Sequence, residues 1–222
     1  KTAKRLIYMA IKYGVARGRG HWAVNPMAWL EIPAERWRAV EEMNEALRLI
    51  EENAEKLARA IPEVQSNLGY VIDLRYARGR GDVIAVPGRI VNYMGRAKHS
   101  GTPVFGASDH VARKILAAAA RDPGVRSAMN IKLDPAVVER AKALGMSVAY
   151  VDRRKEPEEV KKREGATMQW IMEEAYRQTG GKTPDLIVDV GDWGKEPMIT
   201  VLGRSPREVV EKVLRLLIME RL

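Results

Sequence analysis

The 222-residue chain contains no cysteine, which excludes disulfides, thiolate nucleophiles and cysteine-ligated zinc together. Its three histidines (His21, His99, His110) fall in no HExxH or other ligand spacing, so a catalytic zinc centre has no support. There is no GxSxG elbow, and the glycines at 14, 18 and 20 are not followed by the Lys-Ser/Thr of a Walker A loop. No apolar run approaches the roughly 18 residues of a spanning helix. The start, Lys-Thr-Ala-Lys-Arg, with the next apolar stretch broken by Lys12, does not read as a secretory signal. A cytoplasmic protein with no membrane partner is the expectation. Position 1 is not Met, which suggests a fragment of a longer polypeptide. Asn (6) and Gln (3) are scarce beside abundant Glu, Lys and Arg, a balance compatible with a thermophilic source.

What is present is globular in character. Hydrophobic residues make up 46% and charged ones 30%, which excludes disordered and collagen-like classes. At about 150 residues per domain the length suits one compact domain plus an extra segment. The net charge of +9 is unevenly placed: residues 1–20 hold six basic and no acidic side chains, leaving +3 for the other 202. A uniformly basic nucleic-acid surface is therefore not expected of the main body.

Apolar periodicity organises the chain. Residues 2–13 read as a short basic helix and 14–33 as an irregular loop. From 34 to 60, Trp37, Val40, Met43, Leu47, Ile50, Ala54, Leu57 and Ile61 recur every three or four residues, predicting a long helix. Its second half has seam-like spacing, which suits either packing on the main domain or a subunit contact. Beyond Pro62 strands and helices mix. Strands are expected over 70–75, 89–94, 128–133, 146–152, 186–190 and 198–202, and helices over 108–120, 134–144, 167–178 and from Ser205 onward. The domain division that follows is 1–33, 34–65 and 66–222, and the pattern indicates α/β or α+β.

Three segments hold groups suited to chemistry. In Ala85-Val86-Pro87-Gly88-Arg89-Ile90-Val91, a Pro-Gly turn sets Arg89 at the head of an apolar strand. A guanidinium held there is aimed for bidentate phosphate binding, although the same pattern also suits a plain surface arginine. Phe105-Gly106-Ala107-Ser108-Asp109-His110 feeds small residues into a helix start, whose free N–H groups attract anions. A capped helix with no ligand is the plainer reading, and Asp109 would repel phosphate unless it turns away or meets Mg²⁺. In Val190-Gly191-Asp192-Trp193-Gly194-Lys195-Glu196, a polar loop joins two strands. Trp193 suits stacking on a heteroaromatic ring, and Asp192 or Glu196 suits a hard cation; a simple strand connection remains the alternative. Asn130, among apolar neighbours, would need partners if buried.

Gly88-Arg89-Ile90-Val91, Phe105 through Arg113, Ala128-Met129-Asn130-Ile131 and Gly191 through Met198 together resemble the ThiN-type thiamine-phosphate synthase domain, in the right order, from about Asn67 to the end. Gly20-His21-Trp22-Ala23-Val24-Asn25-Pro26 is similar to the tail of the hydroxymethylpyrimidine(-phosphate) kinase family, with Trp22-Ala23 where that family usually has Gly-Pro. The resemblance implies a three-layer α/β/α domain with a mixed, largely antiparallel sheet of class II aldolase-like fold, preceded by the long helix and a remnant of the kinase tail. It implies condensation of hydroxymethylpyrimidine diphosphate with hydroxyethylthiazole phosphate, giving thiamine phosphate and diphosphate. Arg89 and His110 become the expected catalytic pair. Gly106, Ala107, Ser108 and Asp109 become a phosphate cradle, and Asn130, Asp192, Trp193 and Lys195 substrate contacts. Mg²⁺ is expected with the diphosphate, its ligands unspecified, and a homodimer is expected with no nucleic-acid partner. The rival reading is a non-catalytic sensor of thiamine compounds within a transcriptional regulator.

Overall fold

The structure, a computed structural model, describes residues 28–163 and 165–218. The helix expected over 2–13, the loop glycines and the kinase-like segment 20–26 lie outside the described residues. The chain divides into two compact units at Ala39 and Val40. Within the first, residues 28–39 are helical and Arg38 pairs with Glu35.

Helix α1 (Ala28–Glu52) passes through Pro33 and stops at Asn53, and α2 (Ala54–Ala58) follows, so the helix expected over 34–60 is two helices. The break has a local cause: the Asn53 amide donates to the Leu49 carbonyl at 3.0 Å, competing with the backbone ladder. In the second unit Met43, Leu47, Ile50, Ala54, Leu57 and Ile61 are all buried, so this monomer's own core consumes most of the seam-like stripe.

The remaining elements are β1 (Leu68–Val71), β2 (Val83–Ala85), β3 (Ile90–Tyr93), β4 (Arg96–His99), β5 (Val104–Phe105), α3 (Asp109–Arg121), β6 (Ser127–Lys132), α4 (Pro135–Ala143), β7 (Val148–Val151), α5 (Glu158–Lys162), α6 (Ala166–Gln178), β8 (Leu186–Asp189), β9 (Met198–Gly203) and α7 (Pro206–Leu216). Seven strands form one sheet in the order β5-β2-β1-β6-β9-β8-β7, antiparallel throughout except for the parallel pair β7–β8. Strands β3 and β4 make a separate hairpin, against which α2 packs. Helices α3 and α6 cover one face of the sheet and α4 and α7 the other, the expected three-layer α/β/α arrangement with a mixed, mostly antiparallel sheet. Among the described residues no helix is long and apolar enough to cross a membrane.

Register decides where the site lies. On the face under α3 and α6, Ala128, Leu202 and Ile187 belong to the apolar core. Two residues along the same strands, still on that face because side chains alternate, stand Asn130, Thr200 and Asp189. The core therefore ends in a polar floor.

Candidate active site

That floor closes a cavity of about 590 Å³. Its rim begins at the turn before β3. Gly88 (φ 66°) and Arg89 (φ 71°) both take left-handed backbone conformations, which is costly for an arginine and needs outside support. Ser100 supplies some: its hydroxyl donates to the Gly88 and Arg89 carbonyls at 2.7 and 2.9 Å, and its N–H reaches the latter at 3.0 Å. The Arg89 side chain reaches the Val64 carbonyl, while the N–H groups of Glu63 and Val64 both donate to the Glu196 carboxylate at 2.9 Å.

Beneath this rim, two asparagines do the work of absent strand neighbours. Asn67 bonds both backbone groups of buried Val86, accepting at 3.2 Å and donating at 3.0 Å. Its own N–H donates to Asn130 Oδ1 at 2.8 Å, and the Asn130 amide donates to the Gln65 carbonyl at 3.0 Å. The chain of bonds ends three residues from Arg89. Replacing Asn67 by Ala would leave the buried Val86 N–H unpaired and its carbonyl with only the longer 3.4 Å bond from the Arg89 N–H among the described residues, a loss of about 2–3 kcal/mol. The expected result is a melting temperature lower by about 5–10 °C, with reduced turnover because the Arg89 turn loses its anchor; an unchanged melt would show that water replaces the amide.

Helix α3 forms a second wall. Ser108 is its N-cap residue but makes no side-chain capping bond, and Ser108, Asp109 and His110 all line the cavity. Asp109 is spoken for: it pairs with Arg80 and accepts from Arg113 Nε at 2.6 Å. His110 lies one helical turn from Lys114. Burial holds the imidazole below the ordinary histidine value of 6.5, and the charges of Lys114, Arg89, Arg113 and Arg153 hold it lower still.

The structure thus brings Arg89, Ser108, Asp109, His110, Asn130 and Lys195 to one cavity. Gly106, Ala107, Asp192 and Trp193 are not on its wall. The Gly106 N–H donates to the Val83 carbonyl at 2.9 Å. Asp192 accepts the Trp193 N–H at 2.8 Å and lies 4.0 Å from Lys161, while Trp193 itself is 98% exposed.

Other wall residues escaped the sequence reading. Lys114 is buried, donates to Thr200 Oγ1 at 2.7 Å, and burial pushes its ammonium down to about 8 despite the opposing charge of Asp189. Arg153 lies 3.6 Å from Asp189 and 3.8 Å from the buried carboxylate of Glu156. Burial raises the Asp189 carboxyl, against the pull of the Gly191 N–H and the nearby cations. A buried lysine on a helix face otherwise read as apolar was the available signal; Arg153 sits in an Arg-Arg-Lys run that reads as solvated.

The family model described as thiamine-phosphate synthase ThiN matches residues 42–215. The chain belongs to the ThiN family of thiamine-phosphate synthases. It is 42% identical over 178 residues to thiamine-phosphate synthase ThiN of Methanothermobacter thermautotrophicus, covering 80% of this chain and 92% of that protein. It is also 42% identical over 154 residues to the bifunctional thiamine biosynthesis protein ThiDN of Methanocaldococcus jannaschii, covering 69% of this chain but only 35% of that longer one. Among solved structures, the crystal structure of the C-terminal domain of phosphomethylpyrimidine kinase is similar with a TM-score of 0.77 and 45% identity, over 82% of this chain and 100% of that one. The family's place in thiamine biosynthesis is the setting for the cavity's chemistry.

Proposed function

We propose that this ThiN domain joins hydroxymethylpyrimidine diphosphate to hydroxyethylthiazole phosphate in the cavity under Arg89 and His110. The supporting observation is the convergence of these two residues, from different elements, with Lys114, Arg113, Arg153 and Lys195 on one cavity wall. In the reaction the methylene–oxygen bond of the pyrimidine substrate breaks and diphosphate leaves with the electron pair. The thiazole ring nitrogen forms the new bond to the methylene carbon. That nitrogen carries no proton, so no general base is needed, and no proton is lost in forming the thiazolium. The pyrimidine's amino group pushes electron density toward the methylene as the bond breaks.

What remains for the protein is to hold two rings in line and to stabilise charge gathering on the leaving diphosphate. Arg89 offers a planar fork to the diphosphate at the cavity rim. His110 donates a hydrogen bond from the first turn of α3, where the helix dipole also favours negative charge. Lys114 extends the positive field inward, at a site where burial strengthens it.

Magnesium fits this wall poorly as a protein-held ion. The described residues contain no group of three or more His, Cys, Asp or Glu side chains poised for a metal. Two of the cavity's carboxylates, Asp109 and Glu196, are taken by protein donors, and Asp189 stands beside Arg153. Any Mg²⁺ would arrive on the diphosphate as part of the substrate. Mixing the two phosphorylated precursors with Mg²⁺ should yield thiamine phosphate and diphosphate in equal amounts. Saturable binding of both precursors with no product would overturn the proposal.

A further inference from the structure

We infer that Asp189 recognises the exocyclic amino group of the aminopyrimidine substrate, an inference that rests on the function proposed above. The argument matches donors with acceptors. Both substrates present phosphate oxygens, and the wall answers with a surplus of donors in Arg89, His110, Lys114 and Arg153. The thiazole partner's hydroxyl is already phosphorylated and its ring nitrogen is unprotonated. The one N–H donor that the pair brings into the cavity is therefore the pyrimidine's amino group, which needs an acceptor once it leaves water.

Three carboxylates line the cavity: Asp109, Asp189 and Glu196. Asp109 has one oxygen on Arg80 and the other on Arg113. Glu196 has each oxygen on a backbone N–H, of Glu63 and of Val64. Asp189 differs. One oxygen accepts the Gly191 N–H at 3.0 Å, while among the described residues the other has only the Arg153 guanidinium at 3.6 Å, beyond hydrogen-bond reach. Its side chain is 5% exposed, so this is a half-satisfied carboxylate held in the wall. Burying it there is expensive unless a ligand completes its shell.

Position agrees with that role. Asp189 ends β8 on the sheet face that carries Asn130 and Thr200, at the floor rather than the rim. A ring lying on this floor with its diphosphate toward Arg89 and His110 would put its amino group at the carboxylate. As the methylene–oxygen bond breaks, positive charge spreads onto that amino nitrogen, and a neighbouring carboxylate stabilises it further.

The test measures dissociation constants in the absence of the thiazole partner, so that no thiamine phosphate forms. The probes are hydroxymethylpyrimidine diphosphate, the same molecule lacking the amino group, and inorganic diphosphate. The wild-type chain should prefer the amino form over its desamino counterpart at least tenfold. Asp189→Ala should lose that preference while binding inorganic diphosphate as well as before or better, because a negative charge has left the wall. A merely structural role would weaken all three ligands alike. Should the Ala variant fold poorly, Asp189→Asn keeps the shape and can keep the Gly191 bond, but turns a donor toward the amino group; it too should lose the preference. Retained preference in a folded variant of a chain that makes thiamine phosphate overturns this inference alone. A wild-type chain that binds the amino form no better than inorganic diphosphate and forms no product overturns the functional proposal as well.

Discussion

Arg89→Ala and His110→Ala should each lower turnover by about a hundredfold to a thousandfold, the usual cost of removing one preorganised donor to a developing anion. The loss should appear in kcat, since the charge on the diphosphate grows only as the methylene–oxygen bond breaks. Neither change should unfold the chain. Among the described residues the Arg89 side chain bonds only the Val64 carbonyl, and His110→Ala removes an imidazole whose charged form burial and four cations already disfavour. The same cations predict a pH signature. In the free protein the imidazole loses its proton below the ordinary 6.5, so if its cationic form is the better stabiliser, kcat/KM falls as pH rises through that depressed value. Bound diphosphate offsets the positive neighbours and returns the proton, so the corresponding fall in kcat lies at higher pH. Both steps should vanish in His110→Gln. Near-normal rates for Arg89→Ala and His110→Ala would remove the pair from the mechanism.

The contrast between what the residues announce and what they hide has a physical basis. Helices α3, α4, α6 and α7 were legible because each repeats its apolar face over two turns or more, and α4 and α7 also carry start signals: Asp134 accepts the Ala136 N–H and Ser205 the Glu208 N–H at 3.2 Å. Strands β2, β4 and β5 were not, being two to four residues long; β4 also exposes Arg96 and Lys98, so no alternation stands out. Order within the sheet was hidden for a different reason. It depends on pairings such as Asn130 with Thr200 and Gly69 with Ala128, between strands far apart in the chain. Motif residues with unusual backbone demands, such as Arg89 after Pro-Gly, could be singled out from their neighbours. Asp189 could not: an acid closing an apolar strand looks like a strand end until the register sets it on the cavity floor. The Gly106 N–H was equally silent, since its bond to the Val83 carbonyl involves backbone alone.

Lys114→Met should make the protein more stable and less active. The ammonium is buried, and lowering its pKa from 10.5 to about 8 marks a folded-state penalty for the charged form of about 3 kcal/mol. The sign follows from the two values. Below pH 8 the amine is protonated in both folded and unfolded chains, so the folded one bears the whole penalty. As pH rises toward 10.5 the folded chain gives up its proton first, and the penalty disappears. Methionine fills similar space beside Met198 and carries no charge to bury. At pH 7 the variant should therefore gain up to about 3 kcal/mol in denaturant unfolding, and this advantage over the wild type should shrink between pH 8 and 10.5. Thr200 loses its 2.7 Å partner and Asp189 a neighbouring charge, which trims the gain but leaves its pH dependence intact. Turnover should fall about a hundredfold, because the cation that bears most strongly on His110 has gone from the cavity. A variant less stable than wild type at pH 7 would make Lys114 a structural partner of Thr200 and Asp189. A more stable and slower one would show that the chain keeps a destabilising charge in its cavity wall because the leaving diphosphate needs it.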